Sequence, residues 1–326
     1  MTYQKYFKNI FLFSLLLSVV IVSCKKGKNT KTETAVVETN INEAPFFKLS
    51  LAQWSIHKYI IEEGGDPFQF SAMAKDMGFE GLEYVNQLYS KEIEKLGFDK
   101  VIDSLKILSD SNGMQNVLIM VDGEGDLADP NLEVRNQAVE NHKKWVDAAQ
   151  KLGCHSIRVN TFGTNDPIDW MESVVDGLQK LSRYAATKNI NVICENHGWL
   201  SSDAPKLMEA IKFVGMSNCG TLPDFGNWCI KREEGTTWGT CAEEYHDKYE
   251  GIKLMLPAAK GISAKAYDFD ENGNETTLDY QRIIQLVKDS GYTNYIGIEY
   301  EGERMSEKEG ILATKALLLK VAKEVK

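Results

Sequence analysis

Eight short β-rich runs alternate with stretches of helical periodicity from residue 48 to the end of the chain, which leaves few folds open. The runs are Leu49–Ile56, Phe79–Val85, Asn116–Asp122, Ser156–Asn160, Ile190–Asn196, Cys219–Gly226, Gly261–Tyr267 and Tyr295–Tyr300. Helices are expected between them near 68–77, 98–112, 131–152, 169–188, 204–215, 242–259 and 279–290, with a last one at 306–325. Gly78, Gly113, Gly153 and Gly291 stand where a helix must stop and turn into the next strand. Eight βα units in roughly 280 residues fit a closed α/β barrel, the (β/α)8 TIM barrel, better than an open doubly wound sheet. No GxGxxG follows the first run, which removes the main signature of the open alternative.

The barrel is expected over 46–326, and what precedes it reads differently. Lys5 and Lys8 come before the apolar run Ile10–Val22, which ends in Ile21-Val22-Ser23-Cys24. A basic start, a short apolar stretch and a small residue before the cut describe a secretory signal over 1–23, too short to span a membrane comfortably. The Ile-Val-Ser-Cys ending resembles a bacterial lipobox, which implies a lipidated Cys24 and a chain exported and anchored to the envelope membrane. An ordinary signal peptide or an uncleaved anchor is the alternative. Residues 24–45 are polar and read as a flexible tether.

The formal charge is −10, and removal of Lys5 and Lys8 with the signal makes it more negative. Such a surface repels phosphate backbones, so no nucleic-acid partner is expected. Five cysteines remain beyond Cys24, an odd number with no CxxC among them. Cys229 and Cys241 could bridge one loop in an oxidising compartment; for most of the five the expectation is small buried hydrophobes.

A barrel of this kind gathers its chemistry at the C-terminal ends of its strands. Strands of a parallel barrel are buried and should be apolar. Glu83 in GLEYV, Glu195 in VICEN, Asp224 in TLPDFG and Glu299 in IGIEY break that rule. Side chains alternate along a strand, so Glu195 shares a face with His197, and Glu299 with Glu301. Glu195, Asp224 and Glu299 converging in one partly buried space need protons or a cation to neutralise them. Mg²⁺ or Mn²⁺ suits an oxygen-rich set, and a histidine ligand would bring in Zn²⁺. His197 and His57 are candidates for proton transfer or substrate orientation. Trp54 and Trp228, beside these acids, suit the C–H face of a sugar ring, with core packing as the competing reading. Glu83, Asn160 and Asn227 complete the expected substrate contacts, with His57.

The order Glu195 in CENHG, Asp224 in PDFGNW, SAKAYD in the seventh run and Glu299 in GIEYEG resembles the xylose isomerase-like sugar phosphate isomerase/epimerase superfamily. The resemblance spans about 48–325 and implies Glu195, Asp224 and Glu299 as ligands of a divalent metal, the two glutamates also moving protons. It departs where the family's seventh-strand histidine should stand, since Ser263 is there, a far weaker metal ligand. Asn227 likewise takes a place that is histidine in some epimerases. The three carboxylates could still hold a metal with waters or His197. Lys265, on the same face as Ser263, could instead put its ammonium among them.

Proton transfer next to a sugar carbonyl follows, with Glu195 and Glu299 as acid and base and a metal or Lys265 polarising the oxygen. Sugar isomerisation or epimerisation is the leading expectation. A lyase or hydratase acting on 3-keto-glycosides shares the first step, and a non-catalytic sugar-binding lipoprotein is the third reading. Export favours unphosphorylated sugars or keto-glycosides as the small-molecule partner.

Overall fold

The structure, a computed structural model, describes residues 44–326. The signal segment, Cys24 and nearly all of the 24–45 tether lie outside the described residues. Strands β1 Lys48–Ala52, β2 Gly81–Val85, β3 Gln115–Val121, β4 Ser156–Val159, β5 Asn191–Glu195 and β6 Cys219–Leu222 come first. A hairpin follows, β7 Cys229–Arg232 with β8 Cys241–Glu244, and then β9 Ile262–Ala266 and β10 Tyr295–Tyr300. Eight strands form one parallel sheet in the order β6-β5-β4-β3-β2-β1-β10-β9, and the hairpin stands apart.

Two bridges, Thr221 with Ala259 and Asp224 with Ser263, join the sheet's ends and close the barrel. Three backbone hydrogen bonds make this seam: Lys260 to Thr221 at 3.0 Å, Ser263 to Pro223 at 3.0 Å and Phe225 to Ser263 at 3.1 Å. Pro223 has no N–H to give a ladder, so β6 stops before it.

Helices cover the outside where the periodicity placed them, among them Phe98–Asn112, Leu132–Leu152, Pro167–Thr187, Ala204–Val214, Tyr280–Asp289 and Glu307–Glu324. Their starts are side-chain capped: Asn131, Asp166, Asp203 and Asp279 accept amides of the first turn, and Ser306 with Glu309 forms a reciprocal capping box. The four expected stop glycines all have positive φ, between 70° and 84°.

Besides the run Cys219–Gly226, which ends as strand at Leu222, two stretches differ from expectation. The first run, Leu49–Ile56, ends as strand at Ala52, and Gln53–Ile56 coils into a 3-10 turn that lifts Trp54 to the barrel mouth. The helix expected over 242–259 begins only at Lys248, capped by Asp247, because Cys241–Glu244 pairs with Cys229–Arg232. A disulfide between Cys229 and Cys241, with Cα atoms 5.7 Å apart, ties that hairpin. Cys154, Cys194 and Cys219 are free and buried, as expected of small core residues.

Candidate active site

The buried layer at the strand C-termini is polar. Glu195, Asp224, Ser263 and Lys265 are at most 2% exposed, and Arg158 and Glu299 are nearly as buried. Each comes from a different strand end or from β9, so the barrel's own register brings them together: Lys265 stands beside Glu299 in the β9–β10 ladder. Above them opens a cavity of about 690 Å³. Arg158, Asp122, His197, Asn227, Glu299, Glu301 and Trp54 all reach its wall.

Charges this deep survive only if paired. Lys265 Nζ lies 2.5 Å from Glu299, 3.3 Å from Glu301 and 3.9 Å from Asp224. Burial works against its charge, yet the three carboxylates outweigh burial and hold its pKa well above the usual lysine range. Asp224 has both oxygens engaged. One accepts the amides of Gly226 and Asn227 at 2.8 Å each, and the other accepts the Ser263 hydroxyl at 2.5 Å. Glu195 accepts Asn227 Nδ2 at 3.0 Å, and Arg158 Nε lies 2.9 Å away as an ion pair without hydrogen-bond alignment. Burial pushes Glu299 up to about 8 and Asp224 up to about 6, with Lys265 opposing both. Glu301, less enclosed, is lowered because Lys265 outweighs its burial.

A second chain runs along the wall. Asp122 Oδ1 accepts both Arg158 Nη1 at 2.7 Å and Asn160 Nδ2 at 2.6 Å. An ionised carboxylate can only accept, so the Asn160 amide nitrogen must face it, and Asn160 Oδ1 faces His197 Nδ1 at 2.7 Å. His197 therefore carries its proton on Nδ1 and keeps a lone pair on Nε2. Burial and the Arg158 charge press its pKa down to about 3, so the ring is neutral at physiological pH. Asn160 is thus a positioning group for His197 in this arrangement.

The other expected residues fall as follows. Trp228 turns into the core: it is 1% exposed, its indole N–H donates to Phe225 O at 2.9 Å, and its ring lies on Gly251. A Cβ at Gly251 would sit 2.3 Å from that ring, so only glycine fits. Trp228 is not a cavity-wall residue, since burying the indole over bare backbone outweighs exposing it. His57 supports Trp54 from behind, stacked at 4.5 Å and 7° with Nδ1 on Trp54 O at 2.7 Å. Glu83 lies one layer below Glu299, in the space that Gly297 leaves, where a Cβ would come within 2.4 Å of its carboxylate. It accepts the Ser50 hydroxyl at 2.6 Å, and its other oxygen has no partner. It is not among the residues that line the cavity.

Burial, with Glu195 adding to it, raises the Glu83 carboxyl from 4.5 to about 7 against the Ser50 hydrogen bond. The folded protein thus holds a proton there that the unfolded chain releases, and stability falls as pH rises from about 4.5 through about 7. Relative to wild type, Glu83→Gln should gain roughly 2–3 kcal/mol between pH 5 and pH 8 in urea titrations. Parallel pH profiles for the two proteins would show that Glu83 titrates normally.

Residues that sequence reasoning missed form the rim: Phe162, Arg232 and Trp238. The signal was the length between Asp224 and the next helix, with two cysteines in it. Asp122 and Arg158 fall at the ends of the runs Asn116–Asp122 and Ser156–Asn160, and Glu301 just past Tyr295–Tyr300, with no role assigned to them from sequence.

A divalent ion needs oxygens free to converge on it at roughly 2.0–2.6 Å. Here the Lys265 ammonium stands among Asp224, Glu299 and Glu301, both Asp224 oxygens are engaged, and Ser263 is a donor to Asp224. Among the described residues no cluster of His, Cys, Asp or Glu is arranged as a metal cage. The residues present do not fit a divalent ion in this arrangement.

A closed barrel with titratable groups gathered at the strand C-termini is the architecture of a barrel enzyme. The chain belongs to the xylose isomerase-like TIM barrel family, whose pattern matches residues 71–321. Among solved structures it is similar to D-psicose 3-epimerase with D-tagatose from Clostridium cellulolyticum H10, at 15% identity and TM-score 0.61, covering 85% of this chain and 96% of that one. It is similar to the IOLI protein with a bound zinc atom, at 14% and 0.63, covering 86% and 99%. A 3-keto-D-glucoside 4-epimerase from E. coli matches at 15% and 0.60, covering 77% and 93%. These likenesses show the fold. Two curated relatives match over short segments. The C-glycoside deglycosidase alpha subunit of Arthrobacter globiformis is 38% identical over 53 residues, 16% of this chain. The 3'-dehydrocarminate deglycosidase alpha subunit of Microbacterium sp. is 33% identical over 57 residues, 18% of this chain. The matches span only 15% and 16% of those relatives' own lengths.

Proposed function

We propose that this protein is a carbohydrate isomerase or epimerase that moves a proton at a carbon next to a sugar carbonyl. The observation that carries the reading is Glu299, a carboxyl pushed up to about 8 at the cavity wall and anchored from below by Lys265. A carboxylate with its pKa raised toward the working pH is both a stronger base than an ordinary one and able to return the proton. Arg158, permanently charged and on the same wall, accounts for the carbonyl oxygen: it polarises the oxygen and stabilises the enediolate formed when Glu299 takes the neighbouring proton. His197 Nε2 accepts a hydrogen bond from a substrate hydroxyl. Return of the proton to the adjacent carbon completes an aldose–ketose isomerisation. Delivery by a second acid from the opposite face completes an epimerisation.

In this reading Glu195 is held by Arg158 and Asn227, Arg158 faces the substrate beside Glu299, and His197 orients it, a role the sequence already offered. One structural neighbour holds a bound zinc atom; in this chain Lys265 supplies the fixed charge among the carboxylates. We further propose, from residues 1–24, an exported chain anchored through Cys24, whose partners are unphosphorylated sugars or keto-glycosides and not nucleic acid.

The short matches to deglycosidase subunits favour a second reading. On a 3-keto-glycoside, the same proton loss at C2 expels the C1 substituent, with the electron pair of the C–H bond forming the new double bond. Incubation with keto-sugars and 3-keto-glycosides in deuterated water tests both. Deuterium uptake next to the carbonyl with the glycosidic bond intact supports the isomerase or epimerase, and release of the C1 group supports the lyase. No uptake and no release leaves a binding protein.

A further inference from the structure

We propose that the cavity mouth is a subsite for a second ring carried on the anomeric carbon, so that the substrate is a glycoside with a cyclic aglycone; this rests on the proton-transfer reading above. The cavity has two chemically distinct levels. Its floor is ionic, with Arg158, Glu299 and Glu301. Its mouth is aromatic: Phe162 and Trp238 meet edge to face at 5.5 Å, and Trp238 meets the His197 ring at 5.0 Å.

Trp238 is 53% exposed although it is among the largest apolar side chains, and part of its surface is left open on the cavity. It is nevertheless held in place. The Cys229–Cys241 disulfide closes the hairpin that carries it, Arg232 Nη1 donates to Gly239 O at 2.6 Å, and the guanidinium lies 5.9 Å from the indole. A rigid aromatic face costs little ordering on binding. A volume of about 690 Å³ falls in the middle of the roughly 300–1,000 Å³ that encloses drug-sized ligands, more than one sugar ring calls for. A π face or a sugar's C–H face would both stack there; an aryl group and a second sugar are the two sources of such a ring.

The test compares binding of methyl, phenyl and glucosyl 3-keto-glucosides to the full chain by calorimetry, in wild type, Trp238→Ala and Trp238→Phe. Wild type should bind a ring-bearing ligand about tenfold more tightly than the methyl one. The ratio should fall to about one in Trp238→Ala and return in Trp238→Phe, whose ring also guards against a loop that has merely collapsed. Whichever of the phenyl and glucosyl ligands gains more identifies the ring. Equal affinities for all three ligands in wild type, or a preference that Trp238→Ala retains, overturns the subsite. Deuterium uptake with the methyl ligand separately reads the proton-transfer function, so its absence would count against that reading and leave the ring preference to be judged by binding alone.

Discussion

Lys265→Met should cost the protein about 3–5 kcal/mol of stability at pH 8, because it strands a buried group of carboxylates without the ammonium they share. The sign with pH follows from those carboxylates. Glu299 and Asp224 already bind protons more tightly in the folded chain than in the unfolded one. Losing the lysine tightens them further, so protonation repairs the variant and its deficit should shrink as pH falls toward about 5. Urea titrations at the two pH values measure this directly. A deficit that does not change with pH would mean that Lys265 contributes packing and not charge. The same picture expects dialysis against a chelator to leave wild-type stability unchanged. A drop on chelation, reversed by Mn²⁺ or Mg²⁺, would put a metal where the ammonium is argued to act.

Glu299→Gln should slow deuterium exchange next to the carbonyl by about 10²–10⁴-fold while substrate binding changes little. The amide keeps the shape of the side chain but can neither take nor return a proton. At the same time the variant loses the anion that Lys265 approaches most closely, so Glu301 and Asp224 remain to balance that ammonium. Wild-type exchange in Glu299→Gln would move the proton carrier elsewhere, with Glu195→Gln the next variant to measure.

The fold was legible because periodicity and stop glycines act locally, and the barrel merely repeats one βα unit. The deep part of the site was legible for a related reason. Glu195, Asp224, Lys265 and Glu299 sit in or beside strands that a parallel barrel buries, so their polarity could not pass as surface decoration. The rim gave no such signal. Phe162 and Trp238 lie in loops whose positions depend on how the chain returns over the barrel mouth, and an aromatic residue in a loop looks the same whether it caps a cavity or faces solvent. The stretch read as a helix from 242 is the sharpest example. Local propensity did not reveal that Cys241–Glu244 would pair with Cys229–Arg232, a contact made by tertiary closure. Trp228 failed in the other direction: its neighbours in sequence are site residues, yet the vacancy over Gly251 draws its ring inward.

The seam between β6 and β9 sets a limit on how this site could be rebuilt. Ser263 is a partner in two of the three backbone hydrogen bonds that shut the ring, and its hydroxyl adds one more link to Asp224. The position where the resemblance leads one to expect a histidine is thus also where the cylinder is fastened. Replacing that serine by imidazole would exchange a short stitch for a bulky ring in a fully enclosed space, and Lys265 two residues on would have to give way. The backbone bonds of the seam would outlast such an exchange, so what it would change is the hydroxyl link to Asp224 and the room left for Lys265.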